Sequence, residues 1–298
     1  LHNHTQYSLL DGACHIDKFI ARAQELNFGA LAMTDHGNMF GAVEFYKKAH
    51  KAGIKPIIGC EIYVAPRELT KKESIPGEPD GGYHLLLLAK NNTGYKNLIR
   101  LVSTGYLEGF YHRPRVDKEL LAQYTDGLIA TSACLQGEIS YKIRNNDYKE
   151  AEKLAKRFAD MFGKENFYLE IQDHGIEEEK KDKLELIKMA KKLGLNLVAT
   201  NDCHYLHQAD SAAHDALMCI QTGKTLQDAD RFRYTTDQIY VKSSEEMKEL
   251  FADAPEAIEN TLKIAEQCNV EIEMGKLILP HFEMPPEFND LDVYVGHL

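Results

Sequence analysis

Short apolar segments alternate along most of the chain with longer segments in which apolar positions recur every three or four residues. A short β-branched or aliphatic run predicts a buried strand, whereas the longer recurrence predicts a helix. Strands and helices in this alternation are typical of βαβ units and of a parallel sheet. The pattern therefore predicts an α/β fold built from seven such units.

The predicted strands cover residues 1–4, 30–35, 56–64, 83–89, 127–134, 167–172 and 196–202. The predicted helices cover residues 16–26, 42–52, 93–108, 138–143, 149–162, 177–193 and 211–221. Residues 71–82 are polar and rich in turn formers, which predicts a surface loop. Beyond Lys224 the alternation weakens, and residues 243–251 and 254–268 are predicted as two further helices.

The length of 298 residues is compatible with one (β/α) barrel and an appendage. We expect residues 1–224 to form the barrel and residues 225–298 a helical extension. No apolar run approaches the ~18 residues that a membrane span needs, so we expect a soluble protein. The chain begins at Leu1 rather than Met, which suggests a sequence trimmed at its start.

The six cysteines are scattered and form no Cys-x-x-Cys pair. This distribution argues against a disulfide framework and predicts a reducing, cytoplasmic setting. The formal net charge of −11 would repel a polyanion, so composition alone predicts no nucleic-acid binding. Any DNA held here would need metals, local basic residues or neighbouring domains.

Residue types that ligate metals lie close to the ends of nearly every predicted strand. In a parallel barrel these ends meet at one rim, where the βα loops form the active site. We therefore predict that nine side chains converge at this rim: His2, His4, Asp11, His36, Glu61, His84, Cys134, Asp202 and His204.

The spacing of these residues suits a multinuclear site. Residues i and i+2 of a strand face the same side, so His2 and His4, and likewise Asp202 and His204, can enter one pocket. Imidazole and carboxylate suit zinc, iron or manganese, and the Cys134 thiolate favours zinc. Nine groups exceed the four to six that one metal takes, and Glu61 and Asp202 can bridge two cations. Each residue alone could also have an ordinary structural role: His36 could cap a helix, Cys134 could be an inert buried thiol, and Glu61 could pair with a Lys or Arg. Their joint placement at the strand ends favours the metal site.

The remaining histidines have no partner at ligand spacing, and we expect them to be surface or core residues: His15, His50, His112, His174, His207, His214, His281 and His297. Candidate contacts to a DNA backbone are Arg67, Arg113, Arg115 and Arg144, with a solvated charge as the alternative at each. The sequence contains no Walker A motif, Gly-x-Ser-x-Gly elbow or Rossmann fingerprint, which argues against nucleotide-dependent and serine-hydrolase chemistry.

The motifs LHNHTQYS, LAMTDHGN, IGCEIYV, GGYHLLLL, IATSAC and ATNDCHY resemble those of the PHP (polymerase and histidinol phosphatase) superfamily. The longer segments TDHGNMFGAVEFYKKA, YLEGFYHRPRVD and IYVKSSEEM are similar to the N-terminal PHP domains of bacterial DNA polymerase III alpha subunits. This resemblance runs from Leu1 to about residue 280.

The resemblance implies a distorted (β/α)7, TIM-like barrel and a metal-dependent 3′–5′ exonuclease that proofreads DNA replication. It implies two to three divalent metals, Zn²⁺, Mn²⁺ or Fe²⁺, in three groups of ligands: His2, His4, Glu61 and Asp202; Glu61, His84 and Cys134; and Asp11, His36 and His204. The catalytic residues would be Glu61, Asp202 and His204. Divalent metals lower the pKa of water towards neutral, so no protein nucleophile is required.

The implied partners are DNA, the rest of the alpha chain and, through the full-length protein, a proofreading subunit and a sliding clamp, with no membrane. The polymerase carboxylates of this family lie beyond the chain, so it should not polymerise alone. Two alternatives remain open. One is a non-catalytic, metal-stabilised scaffold that docks a proofreading subunit, and the other is a small-molecule PHP phosphatase.

Overall fold

The core of the molecule is a seven-stranded mixed sheet surrounded by helices. The computed structural model describes residues 1–9, 11–280 and 282–298. The strands are β1 (Ala30–Met33), β2 (Lys55–Val64), β3 (Tyr83–Ala89), β4 (Arg115–Val116), β5 (Leu128–Thr131), β6 (Phe167–Ile171) and β7 (Asn196–Ala199). Their order in the sheet is β1-β2-β3-β5-β6-β7, and β4 pairs with β2. His281 lies outside the described residues, so its expected role is not addressed.

The expectation of an all-parallel sheet is wrong at β3. This strand pairs antiparallel with both β2 and β5, whereas β1–β2, β5–β6 and β6–β7 are parallel. A parallel neighbour needs a long crossover, usually a helix, but the connection from β2 to β3 contains no described helix. That connection includes the predicted loop at residues 71–82, so β3 returns beside β2 in the opposite direction.

The N-terminal segment joins the two outer strands of the sheet. The backbone N–H of His4 donates to the carbonyl of Cys203 at 2.8 Å, and the N–H of Thr34 donates to the carbonyl of Asn3 at 3.0 Å. The predicted strand at residues 1–4 is therefore only an isolated bridge at Asn3, between the ends of β1 and β7. These hydrogen bonds close the sheet into a barrel-like ring, which confirms the predicted α/β barrel class.

Strand residues alternate between the inside of the barrel and the surrounding helices. On β2, Ile57 joins a buried cluster with Leu88, Ile129 and Val198, while Cys60 and Ile62 pack with the helices. Because the side-chain period of a strand is two, Glu61 lies on the same inner face as Ile57. The apolar layer thus lies directly below the polar groups of the rim.

The helices agree closely with the predicted segments. They are α1 (Ile16–Glu25), α2 (Ala42–Lys51), α3 (Asn92–Leu107), α4 (Lys118–Ala122), α5 (Glu138–Arg144), α6 (Tyr148–Phe162), α7 (Glu177–Leu193), α8 (Ser211–Thr222), α9 (Ser244–Leu250), α10 (Pro255–Gln267) and α11 (Leu291–His297). The sequence analysis missed α4 and α11, which are too short to show a clear apolar period.

Helix α10 closes the end of the barrel away from the polar rim. Ile264 lies in the C-terminal half of the helix, and Cys268 is the residue that follows its last turn. Both join the inner apolar cluster that contains Ala32 and Tyr168. The side chain of Asn260 donates to the carbonyl of Leu197 on β7 at 2.8 Å. The helix therefore packs on the barrel, while the expected division at residues 224 and 225 stays a prediction.

Among the described residues, no helix is both long and apolar enough to cross a membrane. The six cysteines are all free.

Candidate metal centre

The candidate ligands reach the rim from several separate segments. Glu61 points inward from β2, His36 follows β1, Cys134 follows β5, and Asp202 follows β7. His84 is the second residue of β3, and it reaches the same rim because β3 runs antiparallel to its neighbours. In the all-parallel sheet that the sequence suggested, His84 would lie at the opposite end of the barrel.

The carboxylate of Glu61 is the hub of the cluster. One of its oxygens, Oε1, lies 2.6 Å from His84 Nδ1 and 3.4 Å from His2 Nε2. The other, Oε2, lies 3.7 Å from His4 Nε2 and also contacts His36. The two oxygens thus face different groups of imidazoles, as a carboxylate shared between two cations would.

Cys134 belongs to the Glu61–His84 side of the cluster. Its Sγ lies 3.8 Å from Glu61 Oε1 and 3.6 Å from His84 Nδ1. The preceding residue, Ala133, has φ of 59°, in the left-handed region that a residue with a Cβ rarely adopts. This turn after β5 directs the thiol back over the sheet.

Asp202 lies between the two histidines of the N-terminal segment. Its Oδ1 is 3.0 Å from His4 Nε2 and 3.3 Å from His2 Nε2. The predicted strand to residue 202 is too long, because β7 ends at Ala199 and Asp202 has φ of 40°. A left-handed turn rather than an extended i, i+2 pair therefore delivers Asp202 and His204. A left-handed conformation of a residue other than glycine lowers the stability of the fold by about 1–3 kcal/mol, and such residues are concentrated at functional sites.

A third group of side chains surrounds His36. Its Nε2 is 3.3 Å from Asp11 Oδ2, and its ring stacks on that of His4 at 3.9 Å between centroids. The His204 ring lies 4.5 Å from the His4 ring. All nine predicted side chains are therefore brought into one connected cluster.

Three sets of ligand atoms within this cluster lie within 4.8 Å of one another: His2, His4 and Asp202; His36, Glu61 and His84; and His4, His36 and His204. These sets overlap with the three that family resemblance implied but differ in members. His36 takes the place of Cys134 beside Glu61 and His84, His4 takes the place of Asp11 beside His36 and His204, and the first set lacks Glu61.

Many of these buried atoms have no hydrogen-bond partner in the described part of the chain: His2 Nε2, His4 Nε2, Asp11 Oδ1, His36 Nδ1, Glu61 Oε2, Asp202 Oδ1 and His204 Nε2. Leaving a buried polar group unsatisfied costs about 1–3 kcal/mol, and more for a charge. Seven such atoms facing one another fit a site that divalent cations complete. Because the donors are nitrogen, oxygen and one sulfur, the set suits zinc or manganese.

The ionisation of the cluster favours cation binding at some groups and opposes it at others. Burial lowers the pKa of His2 and His36, but the neighbouring carboxylates outweigh it and raise both well above the usual range, so a cation would have to displace these protons. Burial alone would raise the pKa of Glu61, but His84 and His36 hold it well below its usual range. Burial, together with His36 and His204, lowers the pKa of His4 to about 3, so its imidazole is neutral and able to ligate. Burial and the Glu61 charge raise the pKa of the Cys134 thiol, which a metal would have to offset.

Glu170 is a functional residue that the sequence analysis missed. It is buried on β6 and accepts hydrogen bonds from His2 Nδ1 at 2.7 Å, from Thr200 Oγ1 at 2.5 Å and from Thr131. By holding the proton on Nδ1, Glu170 turns the Nε2 lone pair of His2 towards Asp202. A glutamate inside an apolar strand was the available signal, since a buried charge requires partners.

Asp35 orients His4 in a similar way through Ser8. The Ser8 hydroxyl donates to Asp35 Oδ1 at 2.8 Å and lies 3.0 Å from His4 Nδ1. Thr5 donates to the same carboxylate through its backbone N–H at 2.6 Å and its hydroxyl at 2.7 Å. The aspartate of the Thr-Asp-His-Gly motif therefore supports the neighbouring histidines rather than facing the cluster.

The four arginines predicted to contact DNA differ in how accessible their guanidinium groups are to a ligand. Arg115 is buried, and its guanidinium donates to the carbonyls of Lys71 and Asp80 at 3.0 and 3.2 Å. These bonds hold the loop before β3, and the expected contact of Arg115 with DNA stays a prediction. Arg144 donates to the Leu135 carbonyl at 2.8 Å, close to Cys134.

The other two arginines are exposed. Arg67 lies 3.8 Å from Glu73, while the guanidinium of Arg113 lies 5.8 Å from the Tyr63 ring centroid. The Tyr63 ring is in turn 5.2 Å from that of His84, so Arg113 lies beside the mouth of the cluster.

Comparisons with known proteins agree with this geometry. The family model described as "PHP domain" matches residues 1–174. The DNA polymerase III subunit alpha of Treponema pallidum is 48% identical over 100% of this chain and 25% of its own length. The subunit of Borreliella burgdorferi is also 48% identical, over 100% of this chain and 26% of its own length.

The chain thus spans about a quarter of the length of the curated relatives that it matches. Among solved structures, an amidohydrolase from Chromobacterium violaceum, with bound sulfate and no metal, aligns with 68% of this chain and 86% of its own at 16% identity and a TM-score of 0.41.

Proposed function

Because the chain belongs to the PHP domain family, we propose that it is the phosphodiester-hydrolysing, metal-dependent part of a bacterial DNA polymerase III alpha subunit. The observation that carries this proposal is the Glu61 cluster, in which seven buried ligand atoms face one another without hydrogen-bond partners among the described residues. The cytoplasm is the setting that this assignment implies.

The nine residues divide into three proposed ligand groups. His2, His4, Glu61 and Asp202 would hold one cation, Glu61, His84 and Cys134 a second, and Asp11, His36 and His204 a third. When bound, such cations polarise phosphoryl oxygens and supply an acidic water, which is the chemistry of two-metal phosphoesterases.

The residues of the chain prepare this site in separate ways. Glu170 and Ser8 hold the protons of His2 and His4 on Nδ1, so both Nε2 lone pairs face the Asp202 carboxylate. His204 Nδ1 lies 2.8 Å from the Asp202 carbonyl, which leaves its Nε2, without a partner among the described residues, for the third ligand group. Glu61 uses both of its oxygens and Asp202 places Oδ1 between two imidazoles, so these carboxylates fix the relative position of neighbouring groups.

The proposed substrate is the 3′ end of single-stranded DNA or of a primer, and the proposed reaction is 3′–5′ exonucleolytic proofreading. Support comes from the relatives, which are replication polymerase subunits by name, and from Arg113 at the cluster mouth. The net charge of −11 gives little affinity for DNA, so turnover by this chain should be slow.

The test is release of mononucleotides from a 5′-labelled single strand in Mn²⁺ or Zn²⁺. Asp202→Asn keeps the shape of the side chain but removes the charge that His2 and His4 face, so it should reduce release by at least about a hundredfold. Asp11→Asn should also slow release if a third cation takes part. Asp160→Asn, an exposed residue of α6, is the matched control and should retain wild-type activity.

Equal release by wild type and Asp202→Asn would mean that a contaminating nuclease is responsible. A wild type that binds metal but releases nothing would favour the non-catalytic scaffold, whose role is to dock a proofreading subunit.

A further inference from the structure

We propose that residues 231–234, here called the RFRY segment, form a subsite for the terminal nucleoside of a single-stranded nucleic acid beside the metal centre. The segment reads Arg231, Phe232, Arg233 and Tyr234 and lies between α8 and α9. The inference rests on the proposed function for its substrate, but its evidence is a separate set of contacts.

Tyr234 brings this segment against the metal centre. Its ring centroid lies 5.7 Å from that of His204, a candidate ligand, and 5.4 Å from that of His214. His214 is buried, and its Nε2 bonds to the backbone carbonyl of Asp11 at 2.7 Å. Tyr234 is thus packed on the residues that carry the third ligand group, and it is 36% exposed on its other side.

The second aromatic residue extends the surface away from the cluster. The Phe232 ring is 5.5 Å from that of Tyr234 in an edge-on arrangement, and Phe232 is 54% exposed. Two adjacent rings, one of them touching a metal-ligand histidine, make a platform on which bases can stack in succession.

The two arginines of the segment differ in whether their charge is already paired. Arg231 donates to Asp215 on α8 at 2.7 Å, which anchors the segment. Arg233 is exposed and forms no ion pair or side-chain hydrogen bond within the described ranges. In a chain with net charge −11, an unpaired arginine between two exposed aromatics favours a polyanion with flat bases.

A cleft of about 700 Å³ lies beside the segment, lined by Arg233, Tyr234, His214, Tyr205 and Gln238. This volume falls within the ~300–1,000 Å³ that is usual for small-ligand sites. Tyr205 is buried, and its hydroxyl has no hydrogen-bond partner in the part of the chain that is described. Asp237, also on the lining, is already bonded to the Gln208 amide at 2.9 Å.

These contacts assign a different protein group to each part of the substrate. The scissile phosphodiester would lie at the Glu61 cluster, the terminal base would stack on Tyr234, and Arg233 would pair with a phosphate. Stacking on an aromatic ring does not distinguish one base from another, so the subsite should accept any base.

The test measures two quantities on the metal-loaded protein. One is the anisotropy of a 5′-labelled oligothymidylate whose 3′-terminal linkage is a phosphorothioate, and the other is the KM for nucleotide release from the unmodified strand. Tyr234→Ala should weaken binding and raise KM by about tenfold, because base stacking contributes ~1–3 kcal/mol. Tyr234→Phe retains the ring and should restore most of the affinity.

Arg233→Gln should weaken binding by a smaller factor and flatten its dependence on salt. Arg157→Ala is the matched control, since Arg157 is an exposed arginine of α6, and it should bind as the wild type does. A metal-dependent diester without a base, such as bis-p-nitrophenyl phosphate, should show a smaller change in KM for Tyr234→Ala than the oligonucleotide.

The outcomes separate this inference from the proposed function. Binding that depends on Tyr234 without nucleotide release would support the subsite and overturn the exonuclease. Nucleotide release with the same KM and affinity in wild type and Tyr234→Ala would overturn the subsite and leave the exonuclease standing.

Discussion

At the scale of single residues, the cluster depends on side chains that never face the site. Glu170 fixes His2, and Asp35 fixes His4 through Ser8. Partners of this kind set the tautomer and direction of a metal-binding imidazole. They also explain how Glu170 and Asp35 are tolerated in a buried region, because each of these carboxylates accepts several hydrogen bonds.

The first prediction concerns Glu170. Glu170→Gln keeps the size of the side chain but removes the charge that holds the His2 proton on Nδ1. We expect zinc affinity to fall by about 10–100-fold, as measured by competition with a chromogenic chelator. Glu259→Gln, at an exposed position of α10, should leave the affinity unchanged. Equal affinity in Glu170→Gln and wild type would show that Glu170 does not orient His2.

A second buried carboxyl gives a prediction about pH. Burial raises the pKa of Asp182 to about 7, and the hydrogen bond from Ser140 only partly opposes this shift. The folded state therefore binds this proton more tightly than the unfolded state does. The unfavourable contribution of Asp182 grows as pH rises from its ordinary pKa of 3.8 to about 7.

Asp182→Asn abolishes this titration, so its stability relative to wild type should increase by about 2 kcal/mol between pH 5 and pH 8. Urea unfolding at both pH values measures the difference. Asp160→Asn, which is exposed on α6, should show no such trend. A difference between Asp182→Asn and wild type that is independent of pH would contradict the assigned pKa.

At the scale of elements, α10 covers the end of the barrel opposite the metal centre. Ile264 is fully buried in the inner cluster, whereas Leu262, two residues earlier on the same helix, is 68% exposed. The apolar period in the sequence identified this helix. It did not show which of the two apolar faces of the helix packs against the strands.

The third prediction compares these two faces. Ile264→Ala leaves a cavity between α10 and the strands, so the free energy of unfolding should fall by about 2–5 kcal/mol. Leu262→Ala should change it by less than about 0.5 kcal/mol. Urea denaturation of the metal-loaded protein provides the measurement. Similar losses in the two variants would mean that α10 does not close the barrel.

At the scale of the whole molecule, the metal centre connects parts of the chain that are far apart in sequence. The cluster includes the N-terminal segment, the strands β2 and β3 and the turn after β7. Without cations, like-charged carboxylates and unpaired imidazoles remain buried together at the point where the barrel closes. Metal binding should therefore stabilise the fold as a whole.

The fourth prediction is that removing metal lowers the melting temperature by at least about 5 °C, since a cation that binds only the folded state stabilises it by mass action. Calorimetry before and after EDTA treatment, with elemental analysis of both samples, provides the measurement, and restored Zn²⁺ or Mn²⁺ should reverse the change. Asp202→Asn should show a smaller response to EDTA. An unchanged melting curve after verified metal loss would contradict a structural role for the cluster.

The sequence alone determined the described helices other than α4 and α11, most strand positions and the nine proposed ligands. Apolar periodicity reports local structure directly, and histidines, carboxylates and a cysteine near strand ends carry their own chemical signal. His2, Glu61 and Asp202 could be named for this reason before any distance between them was known.

Only the tertiary structure decided the direction of β3, the turn at Asp202 and the burial of Arg115. Each depends on which segments become neighbours, and strand direction follows from the connection rather than from the strand's own residues. The same reason applies to Tyr234, whose place against His204 is set by an irregular segment without a period. The sequence therefore specified the chemical groups of the site, whereas long-range packing specified their directions.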